Sequence, residues 1–195
     1  MTKIALFGTS ADPPTVGHQQ ILVWLTDHFD RVVAWASDNP FKSDQTDLHH
    51  RHAMLQTLID EIKPHKPNID LYQNLSSRRT LETVVSAQQY WPTAKFTLVI
   101  GADLTQQIQG WYQVKKLLEQ VKLLVVPRPG YPVDDRDLAA LSQLGGKVAI
   151  ASLTGLPVSS TEFREAGDYN ALTPLVQAYI DRENLYEFTS PKSSA

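Results

Sequence analysis

The chain has 195 residues, enough for one sizeable core, and its apolar and charged fractions are those of an ordinary soluble protein. A net charge of −3 gives no reason to expect nucleic acid or an anionic membrane surface as partner. With no cysteine, disulfides and thiolate metal sites are excluded. No window is apolar for long enough to span a bilayer, and the N-terminus lacks the basic-then-apolar layout of a secretory signal. A cytoplasmic protein is the simplest expectation.

In chain order, Lys3-Ile4-Ala5-Leu6-Phe7 reads as a buried strand. It runs into Gly8-Thr9-Ser10-Ala11-Asp12-Pro13-Pro14-Thr15-Val16-Gly17-His18, and then into the helical spacing of Ile21, Leu22, Trp24 and Leu25. A small-residue loop between a strand and a helix aims backbone N–H groups and a helix N-terminus at one point, which favours an anion there. A plain connecting loop with Thr15 as helix cap would show the same pattern. Val32 to Ala36 is a second strand, and Ser37-Asp38-Asn39-Pro40-Phe41-Lys42 a polar loop extending to Asp47. Met54, Leu55, Leu58, Ile59 and Ile62 mark a helix stopped by Pro64 and Pro67. His49, His50 and His52 beside Arg51 lack the pattern of a tetrahedral site and suit a solvated helix start. Ile69 to Tyr72 is a weak strand.

Arg78-Arg79-Thr80 opens a helix whose buried face is Leu81, Val84, Val85 and Ala87, ending near Tyr90. Phe96 to Ile100 is the clearest strand and leads directly into Gly101-Ala102-Asp103. Trp111 and Tyr112 precede a helix through Val114, Leu117 and Leu118. Lys122 to Val126 is a strand closed by Pro127-Arg128-Pro129-Gly130. Leu138 to Leu144 reads as a helix and Val148 to Ile150 as a short strand. Val158-Ser159-Ser160-Thr161-Glu162-Phe163-Arg164 is a loop feeding a helix with a hydroxyl residue as N-cap. Thr173 caps the last helix, with Pro174 at its first position. Residues 1–187 are expected to form one domain, with 188–195 a flexible polar tail.

Strands alternating with helices predict an α/β fold, a Rossmann-like three-layer sandwich with a mainly parallel central sheet. Ligands of such sheets sit beyond the carboxyl ends of the strands, at a topological switch point. The loops after Phe7, Ala36, Ile100 and Val126 all leave strands at that edge, and they carry the unusual chemistry. Trp24, Trp35 and Trp91 read as core residues.

Thr15-Val16-Gly17-His18 resembles the (H/T)-x-G-H tetrad of a nucleotidyltransferase superfamily, in its Thr form. Within it, the chain resembles bacterial nicotinate-nucleotide adenylyltransferases, whose opening reads G-G-(T/S)-F-D-P-x-H-x-G-H. Gly8, Ser10, Asp12, Pro13, Gly17 and His18 are kept; Thr9, Ala11 and Thr15 depart from it. Gly101-x-Asp103 followed by Trp111-Tyr112, and Ser159-Ser160-Thr161-x-x-Arg164, resemble the family's second and third motifs. The likeness extends from Lys3 to about Tyr186.

The resemblance implies adenylyl transfer from ATP to nicotinate mononucleotide, giving the deamido dinucleotide and pyrophosphate in NAD biosynthesis. It places His18, Arg164 and Thr15 at the reacting phosphates as catalytic residues, with no protein-bound metal. Gly8, Thr9, Ser10, Gly17, Gly101, Asp103, Ser159, Ser160 and Thr161 are the implied ATP and phosphate contacts. Asn39, Lys42, Thr80, Trp111 and Tyr112 are the implied mononucleotide contacts, Trp111 stacking on the pyridine ring. Mg²⁺ is expected to arrive with ATP. Arg78-Arg79-Thr80 stands where the family has S-Y-T, so preference for the nicotinamide mononucleotide stays open. The first motif also fits a pantetheine-phosphate adenylyltransferase, and the fold a non-catalytic nucleotide-sensing module. Nucleic-acid and membrane partners are not expected, and a homo-oligomer is left open.

Overall fold

The computed structural model describes residues 1–38 and 44–186. Six strands form one sheet in the order β3-β2-β1-β4-β5-β6: β1 (Lys3–Thr9), β2 (Arg31–Ala36), β3 (Ile69–Leu71), β4 (Lys95–Gly101), β5 (Lys122–Val126) and β6 (Lys147–Ile150). Every strand pairing is parallel. This is the expected Rossmann-like α/β sandwich, and its strands carry the near-continuous apolar runs that burial on both faces requires.

Alternation along the strands divides the core in two. Ala5, Phe7, Val32 and Ala34 face one side, where they pack with Leu22 and Leu25 of α1 (Val16–His28). The same side takes Met54, Leu55, Leu58 and Ile59 of α2 (Leu48–Ile62), Phe163 of α6 (Ser160–Ala166), and Val176 and Ile180 of the last helix. Ile4, Leu6, Val33 and Trp35 face the other side. There they meet Leu81, Val84 and Ala87 of α3 (Thr80–Tyr90) and Val114, Leu117 and Leu118 of α4 (Val114–Gln120). Leu141 of α5 (Asp135–Gln143) completes that layer. Trp35 is buried as expected, while Trp24 and Trp91 are half-buried against the two cores.

Several boundaries differ from the sequence reading for local reasons. α5 begins three residues before Leu138, because the Asp134 carboxylate accepts the Arg136 N–H at 2.8 Å and caps it there. Val85, expected on the buried face of α3, is exposed. Its neighbours Val84 and Ala87 suffice to cover the sheet. In α7 (Pro174–Glu183) Thr173 occupies the cap position with Pro174 after it, yet its buried hydroxyl makes no hydrogen bond. The start of α2 is solvated at His49, as expected, while its other two histidines are half-buried and meet other elements. His50 Nδ1 lies 2.9 Å from the Tyr179 hydroxyl, and His52 Nδ1 lies 3.3 Å from Gln73 Oε1.

The chain runs outward from β1 through β2 to β3, then returns to place β4 on the other side of β1. That reversal opens the switch point between β1 and β4. Pairing between β1 and β4 ends at Leu6 and Leu98, and beyond it β1 stays paired with β2 through Thr9 and β4 with β5 through Gly101, so the two strand ends part there. At Gly8 an added Cβ would meet the Trp35 ring at 2.6 Å, and Trp35 is itself locked in the core. Gly8→Ala is expected to destabilise the chain by about 1–3 kcal/mol through overpacking. Thermal denaturation followed by circular dichroism checks this; an unchanged midpoint would mean that Trp35 gives way.

Candidate active site

The first loop ends on a helix start built by two of the predicted residues. Thr15 is the N-cap of α1 and, with His18 three residues on, forms a capping box. The Thr15 N–H donates to His18 Nδ1 at 3.0 Å, and the Thr15 hydroxyl lies 2.9 Å from the same nitrogen. A backbone N–H can only donate, so Nδ1 holds a lone pair and the neutral ring carries its proton on Nε2. The plain capping reading and the catalytic reading of Thr15 are therefore compatible. Burial of Thr15 at 1% exposure places its side chain behind His18 rather than at the surface of the cleft. Gly17 is close-packed: a Cβ would meet Val158 Cγ2 at 3.1 Å.

The third motif docks onto this loop. Ser159 caps α6 (Ser160–Ala166) by accepting the Glu162 N–H at 3.0 Å. The Ser160 hydroxyl donates to the Pro13 carbonyl at 2.8 Å. Arg164 donates to the Asp12 carbonyl and lies 3.9 Å from the Asp12 carboxylate. It also reaches the Thr161 hydroxyl at 3.5 Å. Residues 147 and 152 positions apart thus meet at the carboxyl end of β1, with the Arg164 side chain 35% exposed.

Two charged residues to which the sequence assigned no role in the chemistry hold the loops together. Asp12 is 2% exposed and accepts from the Thr46 N–H at 3.3 Å and from the Tyr186 hydroxyl at 2.5 Å. Arg51 is 3% exposed and donates to the carbonyls of Thr46, Ser10 and Ser37 at 2.8, 2.9 and 2.7 Å. Its guanidinium pKa is pulled down by burial, and the charges of Asp12 and Asp38 oppose that shift. Burial, with the bond to Asp12, pushes the Tyr186 phenol well above its ordinary range, so it stays a proton donor. Asp12 was legible as part of a motif; nothing local marks Tyr186, whose partner is 174 residues away.

The second motif sits at the end of β4. Asp103 lies in a short 3₁₀ turn, Ala102–Leu104, and receives a 3.3 Å bond from Arg128 in the loop after β5. Its carboxylate lies over Gly101, where an added Cβ would collide with it. Trp111 is half-buried against the α3 and α4 layer, while Tyr112 is exposed. Thr80 is the first residue of α3, and the Arg79 guanidinium lies 4.2 Å from the Tyr112 ring centroid, joining that helix start to the Trp111-Tyr112 turn. Arg79 also pairs with Glu82 at 3.3 Å and Arg78 with Asp38 at 3.4 Å. Gln73 closes the end of β2: its amide bonds both the N–H and the carbonyl of Ala36, at 3.0 and 2.8 Å. Asn39 and Lys42, expected on the mononucleotide side, lie outside the described residues, as does the 188–195 tail.

A switch point with a capped His at a helix start, and an Arg brought to it from a distant helix, suits a class of protein that handles nucleotide phosphates. Residues 6–166 match the cytidylyltransferase-like family model. A Synechocystis protein named probable nicotinate-nucleotide adenylyltransferase is 42% identical over 197 residues, spanning 94% of this chain and 98% of that one. The Bacillus subtilis nicotinate-nucleotide adenylyltransferase is 28% identical, over 96% of this chain and all of its own. The chain belongs to the nicotinate-nucleotide adenylyltransferase family, within the cytidylyltransferase-like group. In fold it is similar to the Plasmodium falciparum nicotinic acid mononucleotide adenylyltransferase. The structure complexed with NaAD superposes with a TM-score of 0.82 at 24% identity, over 97% of this chain and 99% of that one.

Proposed function

We propose that this chain joins ATP and nicotinate mononucleotide, releasing pyrophosphate and forming nicotinate adenine dinucleotide for NAD synthesis. The observation that carries the chemistry is the docking of α6 on the first loop, which sets Arg164 beside the helix start that holds His18. The relatives named for this activity cover the chain almost end to end.

In this reaction an oxygen of the mononucleotide phosphate attacks the α-phosphorus of ATP. The bond from that phosphorus to the β-bridging oxygen breaks, and pyrophosphate leaves. The nucleophile is already ionised near neutral pH, so no protein base is needed. Catalysis then rests on alignment and on stabilising charge at the transferring group. In the proposed arrangement His18 donates through Nε2–H to a phosphate oxygen. Arg164 supplies a fixed positive charge to the developing pyrophosphate. Thr15 acts through its hold on the imidazole. The backbone at Gly8, Thr9 and Ser10 and the start of α1 at Gly17 favour phosphate by their N–H groups. Thr161, and Ser159 and Ser160 through the turn they shape, complete that side.

Asp103, with Gly101 beneath it, suits a ribose hydroxyl, which a carboxylate accepts well. Trp111 offers an indole face to the cationic pyridinium, with Thr80 and Tyr112 beside it. Among the described residues no group of three or more His, Asp or Glu converges. Mg²⁺ would arrive with ATP, held by its phosphates and by water. No helix among the described residues is long and apolar enough to cross a membrane, and the proposed site of action is the cytoplasm, where ATP is supplied.

A coupled pyrophosphate-release assay tests this reading with three acceptors: nicotinate mononucleotide, nicotinamide mononucleotide and phosphopantetheine. The nicotinate nucleotide is expected to give the highest kcat/KM. Faster turnover of the amide would move the assignment to the other pyridine nucleotide. Turnover of phosphopantetheine alone would overturn it, and binding of ATP without any turnover would point to a nucleotide sensor.

A further inference from the structure

We propose that Tyr186 is a positioning residue for adenylyl transfer, acting through Asp12 to set the guanidinium of Arg164. This rests on the role given to Arg164 above. The tyrosine reaches Arg164 through two intermediaries, Asp12 and Phe163. Its hydroxyl donates to one oxygen of the Asp12 carboxylate at 2.5 Å. The other oxygen faces Arg164 at 3.9 Å, and the Asp12 carbonyl accepts from the same guanidinium. Its ring meets the edge of Phe163 at 5.6 Å and 87°. Phe163 is fully buried and immediately precedes Arg164 on α6. One residue therefore braces both the helix that carries Arg164 and the acceptor that aims its head.

The backbone shows that this placement is enforced. Tyr186 sits at φ +57°, a left-handed conformation that a bulky L-residue adopts only when its surroundings over-determine it. Asp12, at 2% exposure, has no solvent to take over the bond if the phenol is removed. The carboxylate would then be held by the 3.3 Å bond from Thr46 and the looser Arg164 contact. Burial keeps the phenol protonated well beyond neutral pH, so it remains a donor wherever the enzyme works. The Tyr186 hydroxyl bonds Asp12 and also meets the Thr46 side chain, while its ring packs on α6; only its Asp12 and α6 contacts lead to Arg164.

The test is a double-mutant cycle on the full chain, with ATP and nicotinate mononucleotide and pyrophosphate release as readout. Tyr186→Phe keeps the ring on Phe163 and removes only the hydroxyl. It is expected to lower kcat about tenfold, with KM for nicotinate mononucleotide changed by less than about twofold. In an Arg164→Ala background the same change is expected to alter kcat by less than about twofold, because its route to the phosphates has gone. A full tenfold loss in that background, or a folded Tyr186→Phe enzyme with unchanged kcat, overturns the proposal. Arg164→Ala with wild-type kcat would instead overturn the role of Arg164 itself. Asp12→Asn, nearly isosteric, provides the parallel cycle if Tyr186→Phe does not fold. Its effect on kcat must likewise vanish without Arg164, and additive losses there count against the proposal.

Discussion

His18→Gln is expected to lower kcat roughly 10²- to 10³-fold, about 3 to 4 kcal/mol of transition-state stabilisation, while leaving the fold intact. The separation of the two effects follows from the capping box. His18 serves the fold through Nδ1, which accepts the Thr15 N–H at 3.0 Å, and serves the proposed chemistry through Nε2–H. Glutamine is a natural third residue of such a box, so its side-chain carbonyl can accept that N–H. What it loses is the ring that carries the donor outward. His18→Ala should lose the same kcat and about 1 kcal/mol of stability as well, because the Thr15 N–H loses its acceptor. Steady-state kinetics with circular-dichroism melting of both variants checks the pair. Near-normal turnover in either would remove His18 from the phosphate chemistry. A Gln variant that melts as low as the Ala variant would show that the box is not rebuilt.

Arg51→Leu is expected to be the most damaging single substitution for stability, at about 3–5 kcal/mol. In a chain of this length that lowers the melting midpoint by roughly 10 °C. Arg51 is 3% exposed, and one guanidinium binds the carbonyls of Ser10, Ser37 and Thr46. Leucine fills the volume but removes the one charged donor that the three part-buried carbonyls share. It also removes the positive charge that faces buried Asp12. Arg51→Lys should recover only part of the loss. A compact ammonium cannot reach all three carbonyls in the fixed geometry of the guanidinium fork. Urea denaturation gives the free-energy difference directly. A loss below about 1 kcal/mol would mean that the loops hold one another without it.

Because Arg51 ties the first loop to the loop after β2, its loss should also weaken substrate binding. That distinguishes it from an ordinary core defect. The three carbonyls belong to the loops that leave β1 and β2 beside the switch point, and their relative placement determines where two nucleotides can meet.

Much of this molecule was decided by the order of its residues. The apolar runs of β1, β2, β4 and β5 could only be buried strands, and the helical spacings between them required a parallel sheet. Thr15, Gly17 and His18 are local: a cap, a close approach and a ring three residues on form their box wherever the helix forms. Ser159 likewise caps α6 from sequence alone. Tertiary structure decided what no local pattern contains. It chose which side of β1 receives β4, and hence where the cleft opens. It carried Ser160 and Arg164 onto Pro13 and Asp12, and Tyr186 onto the same carboxylate. It also turned Arg79 onto the ring of Tyr112 and Arg128 onto Asp103. The physical reason is range. Caps and periodicities act over three or four residues along the chain. A buried charge must instead find its partner wherever the packed core leaves one.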